Sequence, residues 1–532
     1  MSNKVVEPQP RVVVIGAGIG GLTAGALLAH RGYSVLVVDQ AIVPGGCAST
    51  FKRQGFTFDV GATQVAGLEP GGIHHRIFSE LDIDLPAATH CDPACAVYLP
   101  GETEPISVWR DPQQWQAERQ RQFPGSEPFW QLLTDLFRYS WAFQSRDPVL
   151  PPRNGWDLWQ LTKAVRPDTL LTLPHTFSTV GDALRGYGLA GNQRLRTFLD
   201  LQLKLYSQVN AEETALLYAA TALGVSQEPQ GLFHLHGSMQ ALSDRLVAAL
   251  ERDGGKLLMR HTVEAIHTEK GQTTGVAIRN QKTGEVWTEA ADHVVANVTV
   301  QNLMQLLGDQ APQGYQRRVE KLPPSSGAFV VYLGVDDRAI PDDCPPHLQF
   351  LYDYEGPIAE NNSLFVSVSR PDDGRAPAGK ATITASSFTD VGLWWREGSG
   401  ESEPTQNSKR SSVAAQSATQ NAYSVLKQHY TETAIAHLAH FFNLTDETIL
   451  HVEAATPRTF ARFTGRDRGV VGGIGQRVPT FGPFGFANRT PIRNLWLVGD
   501  STHPGEGTAG VSYSALTAVR QIEAKFNTLR FY

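Results

Sequence analysis

Apolar positions fall into short, sharply bounded runs whose length and spacing change along the chain. Arg11–Ile15 is a β-branched run of the kind that fills a strand buried on both faces. The turn Gly16-Ala-Gly18-Ile19-Gly20-Gly21 follows, Leu22–Arg31 repeats Leu and Ala at helical spacing, and Tyr33–Val38 reads as a second buried strand ending at Asp39. Together these predict a strand–helix–strand unit with parallel strands. Val12 to Ala29 carries no charge and is long enough to raise the question of a membrane span. Its five glycines favour strand, tight turn and packed helix instead, and no second candidate span occurs.

Residues 86–230 differ in character, with many tryptophans, prolines and irregular segments. Order returns in Gly231–Met259, where a turn, a helix (Met239–Arg252), the pair Gly254-Gly255 and a strand (Lys256–Arg260) are predicted. Strands are then expected at Val263–Ile266, Gly275–Arg279 and His293–Ala296, and alternating ones at Ala328–Val335, Leu364–Ser369 and Ala381–Ser386. Gly398–Asn421 is rich in Ser, Gln, Asn, Thr and Gly, with Val413 as its single β-branched aliphatic. It reads as a mobile surface loop, because so little apolar area does not offset the entropy of ordering it. Asn494–Val498 is again a buried strand, ending at Gly499-Asp500, and Ser512–Lys525 is a closing helix. No internal repeat is evident.

Length adds that 532 residues exceed one ordinary core, so two or three domain-sized bodies are expected. Apolar content of 41% and charged content of 19% fit a globular chain. A net charge of −7 offers no basic footprint, so nucleic acid is not an expected partner. Four cysteines form no disulfide framework and point to a reducing compartment. Met1–Pro10 has one lysine, two prolines and no apolar core, which predicts no cleaved signal peptide. Any membrane contact is then expected through the surface.

The glycines carry the first chemistry. Gly16, Gly18 and Gly21 follow a strand and open a helix, the context a dinucleotide-binding turn requires. The first makes the turn, the second lets backbone approach a pyrophosphate, and the third packs helix on strand. Helix N-terminal N–H groups then face the phosphates. Asp39 lies 18 residues beyond Gly21 at a strand end, where a carboxylate can bind ribose hydroxyls. Pro44-Gly45-Gly46-Cys47 and Gly55-Phe-Thr-Phe-Asp59-Val-Gly61-Ala62-Thr63 follow, and the glycine pair suits backbone running against a long, permanently bound dinucleotide. Near the other end, Leu497-Val498-Gly499-Asp500 precedes Gly505, Gly507, Gly510 and Val511. A strand ending in Gly-Asp suits a ribityl hydroxyl or phosphate-bound water, and a helix starting near Ser512 would aim its N–H dipoles at a flavin pyrimidine. These blocks distinguish FAD from NAD. Gly472-Gly473-Ile474-Gly475 lacks the third glycine and a preceding strand, so a separate nicotinamide site is not predicted.

Four blocks, Val14–Asp39, Gly45–Thr63, Gly237-Ser-Met-Gln-Ala-Leu with Val263, and Gly499–Ala515, resemble the FAD-dependent carotenoid desaturase and isomerase family of the flavin amine oxidase superfamily. Thr456-Pro-Arg-Thr through Gly465-Arg466 to Gly472-Gly473 resembles that family's substrate-side pattern. The run Asp500–Leu516 looks most like the cyanobacterial carotenoid 3′,4′-desaturases of the myxol type. The resemblance implies an α/β fold: a Rossmann-type, GR2-like FAD-binding domain (residues 1–85, 231–310 and 489–532) with a discontinuous α+β substrate and membrane-contact domain (86–230 and 311–488). It also implies a cofactor set of Gly16, Gly18, Ile19, Gly20, Gly21, Asp39, Gly45, Gly46, Cys47, Gly61, Ala62, Thr63, Val263, Gly499, Asp500, Gly510 and Val511, with Val263 giving backbone contacts to the adenine.

The implied activity is desaturation at C-3′,4′ of a carotenoid, with hydride transfer to the flavin and quinone or oxygen as the final acceptor. Alternatives are a carotene cis–trans isomerase using reduced FAD, an oxidase of amines or porphyrinogens, and a non-catalytic escort protein on the same fold. Flavin and polyene carry the difficult step, and no nucleophile–base pair stands at an informative spacing, so no catalytic side chain is assigned. His503 and Glu506 lie beside the flavin segment and could accept a proton, but bracing the Pro504 turn and facing solvent are the favoured roles. His90-Cys91-Asp-Pro-Ala-Cys95 lacks the second ligand pair of a zinc site, so no metal is predicted. Cys47 is expected as a packed free thiol, and His234 and His236 as strand-end residues. Trp156, Leu158, Trp159, Leu161, Val165, Leu170, Leu171 and Leu173, with Lys163 and Arg166 among them, suit an interfacial helix pair as well as a buried one. The resemblance favours the former, with Trp394-Trp395 as a second contact and a peripheral location on the cytoplasmic side of a membrane.

Overall fold

The β-branched run Arg11–Ile15 occupies the centre of a five-stranded sheet in the computed structural model, which describes residues 9–370, 373–395 and 412–524. The strand order is Leu495–Leu497, His293–Ala296, Arg11–Ile15, Ser34–Asp39 and Lys256–Met259. Every neighbouring pair is parallel, with Val13 opposite both Val294 and Leu36. Strands near residues 11 and 495 therefore share one sheet, and the two ends of the chain meet there.

Both faces are covered, which is why the strands read as unbroken apolar runs. Val12 and Val14 pack beneath helices Ile19–His30, Gln240–Arg252 and Thr508–Glu523. Val13 and Ile15 face the opposite layer, an antiparallel sheet of His261–Glu269, Gln272–Asn280 and Val286–Ala290 with helix Val300–Leu307. Ile19 through Ala29 are buried on every side of their helix. A helix apolar all round lies inside a protein as readily as inside a bilayer, and this one lies between two others. Among the described residues no helix is long and apolar enough to cross a membrane.

A second, seven-stranded sheet runs in the order Ile449–Ala455, Gly327–Asp336, Lys380–Thr389, Ser363–Val368, His347–Leu351, Cys95–Tyr98 and Ile106–Val108. Its pairs are antiparallel except His347–Leu351 with Cys95–Tyr98. The expectation of an irregular segment at 86–230 is corrected. Helices Pro112–Gln122, Glu127–Gln144, Gly155–Ala164, Pro167–Leu170, Val180–Gly186, Gln193–Ser207 and Leu216–Gly224 fill most of it. Pro112, Pro128 and Pro167 sit in first turns, where proline starts a helix.

Two further expectations change. Of the predicted loop Gly398–Asn421, residues 398–411 lie outside the described residues, whereas 412–421 open the helix Ser412–Leu438. Ala434 and Leu438 of that helix are fully buried against the seven-stranded sheet, and tertiary packing of the distal turns overrides the polar start. Trp394 is no surface contact either. It is 1% exposed, stacks on Phe329 with ring centroids 5.6 Å apart, and donates from Nε1 to Thr389 Oγ1 at 2.9 Å. Trp395 donates to Arg468 O at 3.0 Å. Trp394→Ala should lower unfolding stability by about 3–5 kcal/mol; a loss under about 1 kcal/mol in urea titration would show that the indole is not needed to hold the sheet.

Candidate functional site

Parallel strands present their C-terminal ends on one edge, and ligands of such sheets bind there. Four of those ends converge: in chain order, Gly16 after the first strand (Arg11–Ile15), Asp39 closing the second (Ser34–Asp39), Asn297 after the fourth (His293–Ala296) and Gly499 beyond the fifth (Leu495–Leu497). Gly16 adopts φ +96°, and its N–H donates to Val38 O at 2.8 Å. A Cβ on Gly16 would stand 2.7 Å from Asn297 O, and a Cβ on Gly21 would overlap the Gly16 carbonyl oxygen. Gly21 is thus the contact between helix and strand, behind the ligand surface.

Asn297 escaped the sequence reading. Its amide side chain is the nearest neighbour of Gly18, Gly20 and Gly499, at 2.9, 2.7 and 3.0 Å from ideal Cβ positions, and its N–H donates to Ile15 O at 2.8 Å. The available signal was positional: Asn297 directly follows the strand His293–Ala296, as Gly16 follows Arg11–Ile15.

Asp39 accepts from Ala17 N at 2.6 Å and Ala41 N at 2.7 Å, so its carboxylate braces the glycine turn while bordering the cavity. Burial raises its pKa, against those two hydrogen bonds. Gly45 N donates to Ala17 O at 2.8 Å, which lays the second glycine pair alongside the first turn. Cys47 is a free thiol at the same wall, its pKa raised by burial. Asp59 anchors the segment leading to Gly61, Ala62 and Thr63. It accepts from Thr50 Oγ1 at 3.0 Å and Met239 N at 2.9 Å, and pairs with Arg375, all within the interior. Arg375 also meets Asp373 at 3.2 Å, and Asp373 holds His234 Nε2 at 2.9 Å. His234 is therefore an interior partner of a charge cluster, a firmer role than a strand end.

Asp500 is paired at 2.7 Å with Arg466, which also donates to Val470 O at 2.7 Å and to Gly472 O. The segment expected on the substrate side thus reaches the fifth strand end. The closing helix begins at Thr508, four residues before the expected Ser512, so Gly510 and Val511 lie in its first turns. Gly507 is its N-cap, with φ +85°. First-turn N–H groups have no intrahelical acceptor, and Thr508, Ala509 and Gly510 border the cavity. His503 Nε2 lies 3.1 Å from Gln144 Oε1, and burial lowers its pKa to about 4. Glu506, expected in solvent, borders the cavity instead.

These walls enclose about 1270 Å³. Every expected cofactor residue except Gly21 borders that space. The volume exceeds the roughly 300–1,000 Å³ of a single small-ligand site, and its lining includes, besides the glycines, an apolar limb of Leu205, Tyr206, Leu217, Tyr218, Val225, Phe365 and Phe388. Leu161, Val165 and Leu173 line the cavity too, and in the same segments Leu158, Trp159, Leu170, Leu171 and Phe177 are exposed, Trp159 to 61% and Phe177 to 73%. Cys91 and Cys95 lie elsewhere, buried with pKa values pushed up to about 12. Among the described residues no group of three or more His, Cys, Asp or Glu is placed to hold a metal.

Two helix N-termini, a backbone cradle without Cβ atoms and a carboxylate at each side strand fit a flavin dinucleotide. Comparison with known proteins agrees. Residues 19–395 match the family described as flavin containing amine oxidoreductase, and the chain belongs to it. It is a flavin-dependent oxidoreductase. Among curated relatives, prolycopene isomerase 1 of an Oncidium hybrid cultivar is 26% identical over 98% of this chain and 85% of its own length. The zeta-carotene-forming phytoene desaturase of Myxococcus xanthus is 26% identical over 95% of this chain and 92% of its own. Both meet the resemblance drawn from the motifs. The cyclohexylamine oxidase structure from Brevibacterium oxydans shares the fold, with a TM-score of 0.59 and 17% identity over 97% of this chain and 100% of that one.

Gly21→Ala should separate the turn's structural role from ligand contact. The forced overlap is expected to cost about 3 kcal/mol or more and to abolish copurifying flavin absorbance, although Gly21 does not border the cavity. Retained flavin with an unchanged melting temperature would exclude the close crossing.

Proposed function

We propose that the protein is an FAD-dependent carotenoid desaturase that introduces a C-3′,4′ double bond, with quinone or oxygen as the final electron acceptor. The observation that carries the reading is a single cavity lined both by the glycine cradle and by an apolar limb that includes Leu205, Leu217, Val225, Phe365 and Phe388. Such a limb suits a polyene better than a charged amine or a porphyrinogen with its carboxylates. The intact cradle speaks against an escort protein that has lost its cofactor. Relatives named as a phytoene desaturase and as prolycopene isomerases support the carotenoid class, and the latter make cis–trans isomerisation on reduced FAD the second reading.

In this assignment Gly16, Gly18, Ile19, Gly20, Gly45 and Gly46 hold the pyrophosphate side, Asp39 and Val263 the adenosine side, and Gly61 to Thr63, Asp500, Gly510 and Val511 the flavin side. Bound FAD supplies a two-electron acceptor for hydride. The first-turn N–H groups at Thr508 to Gly510 would stabilise negative charge growing near them. The apolar limb excludes water from the reacting carbons and orients the polyene end.

A carotenoid must leave a bilayer to enter the limb. The exposed Leu158, Trp159, Leu170, Leu171 and Phe177 beside cavity-lining Leu161 and Leu173 support peripheral docking there. The joint variant Trp159→Ser, Leu171→Ser and Phe177→Ser should weaken liposome flotation at least about tenfold, since each such side chain gains about 1.5–3 kcal/mol on leaving water. Unchanged flotation would move the docking surface elsewhere.

Coexpression with pathways producing different carotenes, followed by pigment analysis, tests the activity. A product lighter by two hydrogens at the polyene end is the expected outcome. Changed double-bond geometry at constant mass would favour the isomerase, and no altered carotenoid would sink the substrate class.

A further inference from the structure

We propose that Glu506 is the proton acceptor of the reaction, the carboxylate that takes the proton from the substrate carbon next to the one losing hydride. This rests on the desaturase reading. Glu506 immediately precedes Gly507, the N-cap of the closing helix, and borders the cavity that the glycine cradle and the apolar side chains line together. Gly505 and Gly507, both at positive φ, flank it and fix the direction in which the backbone presents it.

Its carboxylate is held from one side only. Gln208 Nε2 donates to Oε2 at 2.8 Å, while Oε1 is buried with no hydrogen-bond partner. An ionised carboxylate ordinarily fills its acceptor sites, and an interior one with an oxygen left over is suited to holding a proton. Burial raises its pKa to about 8, with neighbouring Asp500 adding to the effect and Gln208, Arg466 and Lys204 opposing it. Tyr218 faces it from the helix Leu216–Gly224, its own hydroxyl kept protonated by burial. Of the charged neighbours, Arg466 is committed to Asp500, and Lys204 donates to Gln208 O at 3.0 Å and Ser326 Oγ at 3.1 Å. Among the described residues Glu506 forms no ion pair with a cation. His503, three residues earlier, is the other candidate, but burial holds its imidazole at about 4 and makes it a poor base.

One C–H bond breaks as its carbon loses hydride, two electrons and a proton, to the oxidised flavin. The adjacent C–H bond breaks heterolytically, its electron pair becoming the new C=C bond and its proton passing to Glu506. The substrate is oxidised by two electrons, the flavin is reduced by two, and the carboxyl must release its proton before the next turnover.

The test compares the holoprotein with Glu506→Gln and Glu506→Asp. Glu506→Gln should keep its flavin spectrum and melting temperature yet lose turnover about 100-fold or more, the contribution expected of a general base. In the native protein kcat should rise with pH through about 8, and Glu506→Asp should retain a pH-dependent fraction. Independently of activity, infrared titration should show a protonated-carboxyl C=O band that fades above about pH 8 in the native protein and is missing in Glu506→Gln. Native turnover with an unchanged pH profile in Glu506→Gln, persistence of the band in that variant, or loss of the profile in His503→Asn would overturn the assignment. If the native protein forms no new double bond under any coexpressed pathway, the desaturase reading fails instead, and the assignment falls with it.

Discussion

Everything at this site depends on one backbone crossing: the helix after the first strand passes so close to that strand's end that only hydrogen fits at Gly21. With Gly16 turned into a positive-φ conformation and its carbonyl oxygen against Gly21, the helix N-terminus is aimed back across the strand ends. Asn297 completes the arrangement from a neighbouring strand, filling the space that side chains at Gly18, Gly20 and Gly499 would need. The cradle is therefore a contact among three strand ends, and it exists only because residues near 16, 297 and 499 are brought into one parallel sheet.

Charge pairs fasten distant segments around that crossing. Asp59, Arg375, Asp373 and His234 form an interior cluster that joins the segment before Gly61 to the strand Phe233–Leu235 and to the connection between Ser363–Val368 and Lys380–Thr389 of the second sheet. Arg466 and Asp500 join the segment after Pro457–Thr464 to the end of Leu495–Leu497. Buried pairs of this kind add little net stability over apolar replacements, but removing one partner strands a charge. Their value lies in register: each pair fits only when both segments are in place. The second sheet is thereby tied to the cofactor edge, and Arg466 and Asp500 also border the cavity.

The nucleotide edge was largely legible in the amino-acid sequence because short-range rules govern it. A β-branched run, a glycine turn and a second run occupy consecutive residues, and Arg11–Ile15 and His293–Ala296 fall where their patterns place them. The start of the closing helix at Thr508 was missed because Gly507 and Gly510 read as loop, whereas Gly507 serves as N-cap. The helices of 86–230 were hidden by prolines that begin them, and Ser412–Leu438 by a polar opening whose anchor lies twenty residues on. Trp394 and Glu506 were misplaced for a shared reason. Each sits beside polar or glycine-rich sequence, and only the meeting of remote segments buries it.

That last effect links packing to chemistry. A cavity lined largely by apolar side chains lowers the local dielectric, and the buried groups His503 and Glu506 on its wall respond. Cationic imidazolium and anionic carboxylate are both disfavoured, but with opposite consequences for proton transfer. His503 is pushed to about 4, leaving a neutral ring with little appetite for a proton, while Glu506 is pushed to about 8, into the range where a carboxylate binds and releases protons near neutrality. One environment thus disables the residue type most often used for proton transfer and equips the other. The arrangement follows from the same exclusion of water that makes room for the ligand, and a base of ordinary carboxylate strength would require a wetter cavity than these walls provide.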